Sequence, residues 1–351
     1  MSPKDRIDNS SWKIIFPENA KRYNRSSGSG FCGGHAVGSG EASSGKMAAI
    51  WWPDGVPSLL KSAKYKDVDV RDARGSEIAG IWSTGKGSKT GAIVWRLDKS
   101  GAVLDIDLHD PAKYTDTWAM ATGGGAQVGM GDPKTKVKRW QDKKSRGLVW
   151  HGSSDAIVLP APDNVEITVS GTDGEFHVGT LDGGIAVLWR GEQSEPIELG
   201  PKDVASEALA VRDGEQVGLV WSKEGAHGAL WKGSAASLVD LTPKGFKSAR
   251  ALDCAGGFQV GFTMKRECLA SGIASLEGRA VLWHGSNAYL DLQELLPALW
   301  NASSAQKLEI SGDTLRICGT ASQVATSGAG KEAYQSLAAS TVVVWECTLR
   351  G

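Results

Sequence analysis

The sequence carries almost no net charge. Its 39 basic and 40 acidic residues leave −1 at neutral pH, so no long-range field gathers nucleic acid or an anionic membrane surface. No apolar run reaches the length of a membrane span, and the segment from Met1 to Ser10 contains no apolar core of a secretory leader. A cytoplasmic location is expected. Cysteine is sparse, and the five present (Cys32, Cys254, Cys268, Cys318 and Cys347) form no C-x-x-C pair. That odd, scattered set fits free thiols in a reducing compartment better than a disulfide framework or a zinc site, so no metal is expected and no cofactor is indicated.

Glycine and tryptophan are abundant instead. The 45 Gly and 14 Trp stand beside only 6 Phe and 5 Tyr, and 41% of the chain is apolar, enough for a large core. Half of the Trp end an apolar run: Ala-Ala-Ile-Trp51, Ala-Ile-Val-Trp95, Gly-Leu-Val-Trp150, Ala-Val-Leu-Trp189, Gly-Ala-Leu-Trp231, Ala-Val-Leu-Trp283 and Val-Val-Val-Trp345. Four continue as Trp-x-Gly, at Gly152, Gly191, Gly233 and Gly285, which is turn chemistry. Before each Trp run lies a short segment ending at Gly38, Gly80, Gly129, Gly179, Gly218, Gly261 or Gly319, most often as Val-Gly. Most of these segments follow tight-turn pairs such as Asp213-Gly214 or Gly256-Gly257. An apolar strand follows each Trp strand, as at Leu238 to Leu241, and another precedes the Val-Gly hairpin, as at Ala249 to Asp253.

Four short strands in each unit of roughly 40 to 60 residues is the period of a propeller blade. The expected fold is all-β: one domain over 1–351, a seven-bladed β-propeller of four-stranded antiparallel blades. The last Trp strand has no outer partner after it, so the N-terminal segment 12–17 is expected to complete a blade built from about 305–347 and close the ring. The units around Trp283 and Trp231, Gly278-Arg-Ala-Val-Leu-Trp-His-Gly to Leu292 and His227-Gly-Ala-Leu-Trp-Lys-Gly to Leu241, followed by Phe258-Gln-Val-Gly261, resemble the HAF-type repeat of bacterial proteins. The resemblance is strongest over 205–292 and implies a propeller and a bacterial source, not an activity. Blade order is similar to that of WD repeats, yet no Trp of the set is followed by Asp.

In such a meander the second-to-third and fourth-to-first connections emerge on one face, here called the top. The insertions 132–145, 264–278, 293–304 and 322–340 all fall there, and loops on a rigid scaffold are where binding residues concentrate. Aligning the first strands brings Asp67, Asp116, Glu166 and Glu207 to one early position, an acidic arc at the channel mouth suited to a cation or to acid–base work. The bland alternative pairs them with Arg71, Arg212, Arg250 or backbone amides. His109, beside Asp110, is the top-face histidine, and Arg266, Trp300, Lys331 and Tyr334 are candidate anchors on the long loops. The cations from Lys134 to Arg146 around Trp140 read as a solvated loop, and Gly28-x-Gly30-x-x-Gly33 and the two Gly-x-x-x-x-Gly-Lys patterns read as turns, because no β-α-β context surrounds them. The function expected is that of a monomeric binding propeller that takes a protein or small ligand on its top face and channel mouth, with no membrane or nucleic-acid partner. A lyase or hydrolase acting through the acidic mouth, and a glycan-binding lectin, are the alternatives.

Overall fold

A computed structural model describes residues 2–17, 25–41, 47–52, 58–60, 64–65, 67–85, 89–99, 102–134, 144–265, 278–327 and 334–350. Among them there is no α-helix, only 3-10 turns such as Leu292–Leu295. The strands are β1 (Lys13–Ile15), β2 (Arg25–Cys32), β3 (His35–Glu41), β4 (Met47–Trp52), β5 (Ser58–Leu59), β6 (Asp67–Arg74), β7 (Glu77–Ser83), β8 (Thr90–Leu97) and β9 (Val103–Asp107). They continue as β10 (Tyr114–Gly123), β11 (Ala126–Pro133), β12 (Arg146–Trp150), β13 (Ile157–Val158), β14 (Ile167–Thr172), β15 (Phe176–Leu181), β16 (Ile185–Arg190), β17 (Ile197–Glu198) and β18 (Ser206–Arg212). The remainder are β19 (Glu215–Ser222), β20 (Gly225–Trp231), β21 (Val239–Asp240), β22 (Ser248–Ala255), β23 (Phe258–Met264), β24 (Arg279–Trp283), β25 (Tyr289–Asp291), β26 (Ala302–Ser311), β27 (Thr314–Ser327) and β28 (Tyr334–Thr348).

Consecutive strands pair antiparallel in fours. β10–β13, β14–β17, β18–β21 and β22–β25 are separate four-stranded sheets. A twelve-stranded sheet holds three more antiparallel runs, β2–β5, β6–β9 and β26-β27-β28-β1, joined by single parallel pairs at Arg25 with Ser340 and Gly30 with Ala73. The first strand of each run lies against the first strand of the next, and β26 lies against β2. This is an all-β fold of the propeller type.

The third strands are apolar on both faces because each is packed between neighbouring sheets. Trp95, Trp150, Trp189, Trp231, Trp283 and Trp345 are at most 1% exposed. The side chain of Trp51 lies outside the described residues. Trp189 donates to the Pro160 carbonyl at 2.8 Å and Trp345 to that of Leu292 at 3.1 Å. Burial of this kind makes each Trp worth about 3–5 kcal/mol against Ala.

All of the first strands carry an extra residue at the same place. Their ladders slip at Ser29, Arg71, Met120, Ser170, Leu209, Leu252 and Gln306, a β-bulge in each. Opposite the residue just before each slip stands the glycine that ends the Val-Gly segment, as Ala208 faces Gly218 and Ala251 faces Gly261. The bulge pushes the first strand's carbonyl into the second strand. A Cβ on Gly38, Gly80, Gly129, Gly179, Gly218, Gly261 or Gly319 would stand 1.8 to 2.3 Å from the carbonyl oxygen of Ser27, Asp69, Trp118, Thr168, Glu207, Arg250 or Ser304. Room, not backbone conformation, selects glycine at these positions.

A second link ties the Val-Gly segment to the Trp-x-Gly turn. Gln127, Gln216 and Gln259 each accept from the turn's backbone N–H, at Gly152 (2.9 Å), Gly233 (2.6 Å) and Gly285 (2.8 Å). Their amide nitrogens donate to the carbonyls of Gly125, Gly214 and Gly257 in the first-to-second turn. Each Gln therefore satisfies two turns that would otherwise leave backbone groups unpaired. His177 takes this position in β15, where its Nδ1 meets Thr172 Oγ1 at 2.9 Å, and burial pulls its pKa below the ordinary imidazole value.

Two expected boundaries change. The segment 322–340, expected as a loop, is largely strand: β27 and β28 continue pairing from Ser322 with Ser340 out to Ser327 with Tyr334. Small, uncharged residues extend the ladder there. The Asn301 side chain grips this hairpin by donating to the Val324 carbonyl (2.9 Å) and accepting from its N–H (2.8 Å). The last run is accordingly wider than 305–347, reaching from Ala302 to Thr348, and the N-terminal strand is Lys13–Ile15 within the expected 12–17.

The bulge argument predicts that Gly218→Ala costs about 3 kcal/mol, the upper end for overpacking, because a backbone carbonyl cannot swing aside as a side chain can. Urea denaturation of the variant against the parent measures it; a loss below about 1 kcal/mol would show that the bulge relaxes.

Candidate functional site

The residue directly after each slip is enclosed between first strands. It is small in four cases, Gly30, Ala121, Gly171 and Ala210, but Asp72, Asp253 and Lys307 occupy the other three. Each Asp uses one oxygen to hold the adjoining first strand: Asp72 Oδ2 accepts from Thr122 N and Asp253 Oδ2 from Leu308 N, both at 3.0 Å. The other oxygens meet cations from across the fold. Arg74 Nη2 lies 2.6 Å from Asp253 Oδ1, although β2 and β26 stand between β6 and β22 in the order of contacts. Lys307 Nζ lies 3.1 Å from Asp72 Oδ1 and 3.9 Å from Asp253 Oδ1.

This cluster fills the middle of the fold. The Asp253 side chain is 0% and that of Arg74 15% exposed, so both ions are withdrawn from water. Burial works against the Arg74 charge, but the carboxylates of Asp253 and Asp72 outweigh it and hold its pKa above the ordinary value. Sequence reasoning missed the cluster, because Arg74 and Asp253 are 179 residues apart. Its signal was present all the same: charged residues at a position where the other strands keep Gly or Ala.

The expected acidic arc is not one ring. Asp67, Asp116 and Glu166 each stand four residues before their slips, whereas Glu207 stands two before its own. Counted to the glycine that ends the Val-Gly segment, Asp67, Asp116 and Glu166 stand 13 residues before Gly80, Gly129 and Gly179 and Glu207 11 before Gly218, so the residue equivalent to them there is Ala205. Asp116 is a structural acceptor that takes Thr90 N at 2.9 Å and Thr90 Oγ1 at 3.1 Å. Asp67 and Glu166 are exposed and Glu207 is half-buried. Arg71 pairs with Asp69 at 3.1 Å, and Arg250 lies over the Trp221 ring, so neither neutralises the arc.

His109 is buried instead of facing solvent. Its Nδ1 meets Thr117 Oγ1 at 3.0 Å, and that hydroxyl also accepts from Ala92 N at 2.9 Å, which ties the imidazole to β8. Burial lowers the His109 pKa in spite of Asp107, Asp116 and Asp110 nearby. Asp107, which the sequence did not single out, organises this corner by accepting from Tyr65 Oη (2.7 Å), Trp82 Nε1 (3.0 Å) and His109 N (3.2 Å). Burial favours its neutral form, yet these bonds and Lys64 hold its pKa below the carboxylate norm. Trp300 stacks on Phe16 with ring centres 5.8 Å apart and packs on the core, which removes it as a free anchor. Arg266 and Lys331, and the side chain of Tyr334, lie outside the described residues, as does most of the basic stretch around Trp140.

At the end of the channel formed by the first-to-second turns there is a cavity of about 700 Å³, walled by the turns at 74–77, 123–125, 173–176 and 212–214. A second cavity of about 230 Å³ reaches from Arg74 and Arg212 to Asp253 and Lys307. Among the described residues no three His, Cys, Asp or Glu side chains gather in a metal-binding group, and no helix is long and apolar enough to cross a membrane.

Neither a protein-family model nor a curated protein sequence matches the chain. Solved structures do. A prolyl endopeptidase is similar over 96% of this chain and 53% of its own, with 13% identity and a TM-score of 0.56. A puromycin hydrolase has the same identity and TM-score over 90% of this chain and 53% of its own. This chain thus spans about half the length of those two enzymes. The β-propeller domain of the Trilobed protease from Pyrococcus furiosus matches at 11% identity and TM-score 0.52, covering 74% of this chain and 80% of its own. YCF48 bound to a D1 peptide matches at 12% identity and TM-score 0.53 over 99% of both chains. These likenesses establish the β-propeller fold and nothing finer.

Removing one partner from a buried ion cluster strands the others. Asp253→Asn is expected to cost about 3–5 kcal/mol, because Arg74 loses its carboxylate inside the fold. Denaturant titration measures it, and a loss under about 1 kcal/mol would mean that water reaches the cluster.

Proposed function

We propose that this chain is a closed, seven-bladed propeller that acts as a protein-binding module through its top face. The runs β2–β5 to β22–β25 are read as six blades, and β26, β27, β28 and β1 as the seventh. In support of closure, Ile14 pairs with Trp345 and Ile15 with Val344, Lys13 Nζ lies 3.2 Å from Glu346, and Ile7 bridges to Leu349. Ile7 is fully buried in a cluster that also takes Trp12, Ile14 and Phe16. The units keep their likeness to HAF-type repeats in the Val-Gly and Trp-x-Gly segments.

One observation carries the binding reading over the enzymatic one: the charges that meet between the first strands form a neutralised, buried ion cluster. A lyase or hydrolase at the channel mouth needs a carboxylate free to gain and lose a proton near neutral pH. Asp72 and Asp253, the carboxylates of that cluster, are bound to cations and backbone amides. What the top face does offer is the β27–β28 hairpin, whose paired strands continue past the last rung with β26 at Ala302 and Ser322. Its Ala, Ser and Thr residues form a ladder with few charges, a surface suited to a polypeptide partner rather than to nucleic acid. The likeness to YCF48, which was solved with a peptide, agrees with this reading, and the likeness to peptidases leaves hydrolysis as the alternative to test.

Two variants test the proposal. Replacing 324–338 by Asn-Gly joins Gln323 and Ala339 through a two-residue hairpin turn. Affinity capture from the source organism is expected to yield a protein partner with the parent and not with the short-hairpin form, which keeps the β27–β28 rungs from Thr314 to Gln323 and so stays folded. Equal capture by both would remove the hairpin from the interface, and turnover of peptide substrates by the parent would favour the hydrolase. Deleting 2–17 opens the seventh blade and is expected to lower the melting temperature by more than about 5 °C or to cause aggregation. An unchanged melting curve would defeat closure.

A further inference from the structure

We infer that the channel end opposite the long hairpin is a second ligand site, which takes a carboxylate carried beside a cationic group, with Arg212 as its anchor. It does not depend on the reading of the top face.

Three residues after the slip, four of the first strands place a charge at this end: Arg74, Asp173, Arg212 and Glu309. Three of the four are engaged. Arg74 is paired with Asp253 (2.6 Å), Glu309 with Arg316 (3.0 Å), and Asp173 Oδ1 accepts from Glu175 N (3.1 Å) and Phe176 N (2.8 Å). The Arg212 side chain has no hydrogen bond or ion pair among the described residues, although the residue is half-buried and lines both cavities. It reaches Glu309 only through space: burial raises the Glu309 pKa, and Arg316 and then Arg212 oppose the rise. Its guanidinium donors open onto these cavities, and its planar fork fits a carboxylate.

The surrounding charges define the rest of the ligand. Toward the axis, Arg74, Lys307 and Arg316 are matched by Asp253, Asp72 and Glu309, so the charge of Arg212 is left over. Toward solvent, the larger cavity is rimmed by Asp173, Glu175 and Asp213, with the Phe176 ring beside them, while Glu77 is already held by Arg96. Asp213 spends one oxygen on Gly256 N at 2.9 Å, and Glu175 is exposed. The field therefore runs from positive inside to negative at the rim. A bare anion such as phosphate is repelled at the entrance, and a bare cation gains nothing from Arg212. A zwitterion with its carboxylate inward satisfies both ends: a free basic amino acid, or the C-terminal Arg or Lys of a polypeptide.

Fluorescence anisotropy with N-terminally labelled Gly-Gly-Arg, as free acid and as C-terminal amide, decides the matter on the full chain. The acid is expected to bind saturably and the amide at least tenfold more weakly, a difference of about 1.4 kcal/mol. Arg212→Gln is expected to weaken the acid to the level of the amide while leaving the amide and the melting temperature unchanged. Competition by L-arginine at the peptide's own concentration range identifies the free amino acid as the ligand, whereas a hundredfold higher requirement identifies a polypeptide terminus. Equal binding of acid and amide, an unaffected Arg212→Gln, or no saturable binding by either probe up to about 10 mM overturns the proposal. Should Arg212→Gln fail to fold, the acid–amide comparison on the parent chain decides alone. The short-hairpin variant binds the acid as the parent does, which separates this site from the top face.

Discussion

Everything repeated in this chain follows from one close approach, a first-strand carbonyl pressed into the second strand by a bulge. The extra residue at Leu209 or Leu252 turns the strand so that the oxygen of Glu207 or Arg250 occupies the space of a side chain opposite. Only glycine fits. Its neighbour Val217 or Val260 is then fixed as a core residue, and the Gln before it is fixed over two turns at once. Trp231 or Trp283 fills the space beyond. Four constraints in about ten side chains leave the connections unconstrained, so they vary in length without disturbing the sheets.

That economy explains which parts of the molecule the sequence made legible. The Trp and Val-Gly positions recur within one chain, and recurrence substitutes for an alignment, so the four-strand unit and the outer-strand role of Lys13–Ile15 could be read directly. The bulge leaves no residue signature, since Ser, Arg, Met, Leu and Gln all occupy it. The acidic arc failed at Glu207 for a simpler reason, its place 11 rather than 13 residues before the Val-Gly glycine. The hairpin at 322–340 was hidden differently. Gly328 and Gly330 interrupt a segment of Ala, Ser and Thr that has turn composition, while the strand character of its flanks comes from pairing with each other and from Asn301. His109 was misplaced because its exposure depends on packing against Trp82 of β7 and Thr117 of β10, which spacing alone does not show.

The ion cluster belongs to a third category, neither repeated nor local. Asp72 and Asp253 perform the same act twice, each holding the next first strand through Thr122 N or Leu308 N. Their second oxygens face the axis, where an uncompensated carboxylate would be expensive, and Arg74 and Lys307 complete them. Two local bonds thus create the need for cross-channel cations. The resulting contacts tie β6 to β22 and β26 without passing through β2, the strand that stands between them.

This has a consequence for where chemistry can occur. A group becomes a useful acid, base or ligand when its partners are incomplete, and in the middle of this fold both described carboxylates, Asp72 and Asp253, have a cation and an amide. Incompleteness is displaced to the two ends. At one end it takes the form of backbone, the β27–β28 ladder extended beyond its sheet. At the other it is a single guanidinium at a position where its counterpart, Arg74, is neutralised. The same position in the repeat is structural in one strand because Asp253 faces it, and available in another because Asp72, which stands to β18 as Asp253 stands to β6, is taken by Lys307.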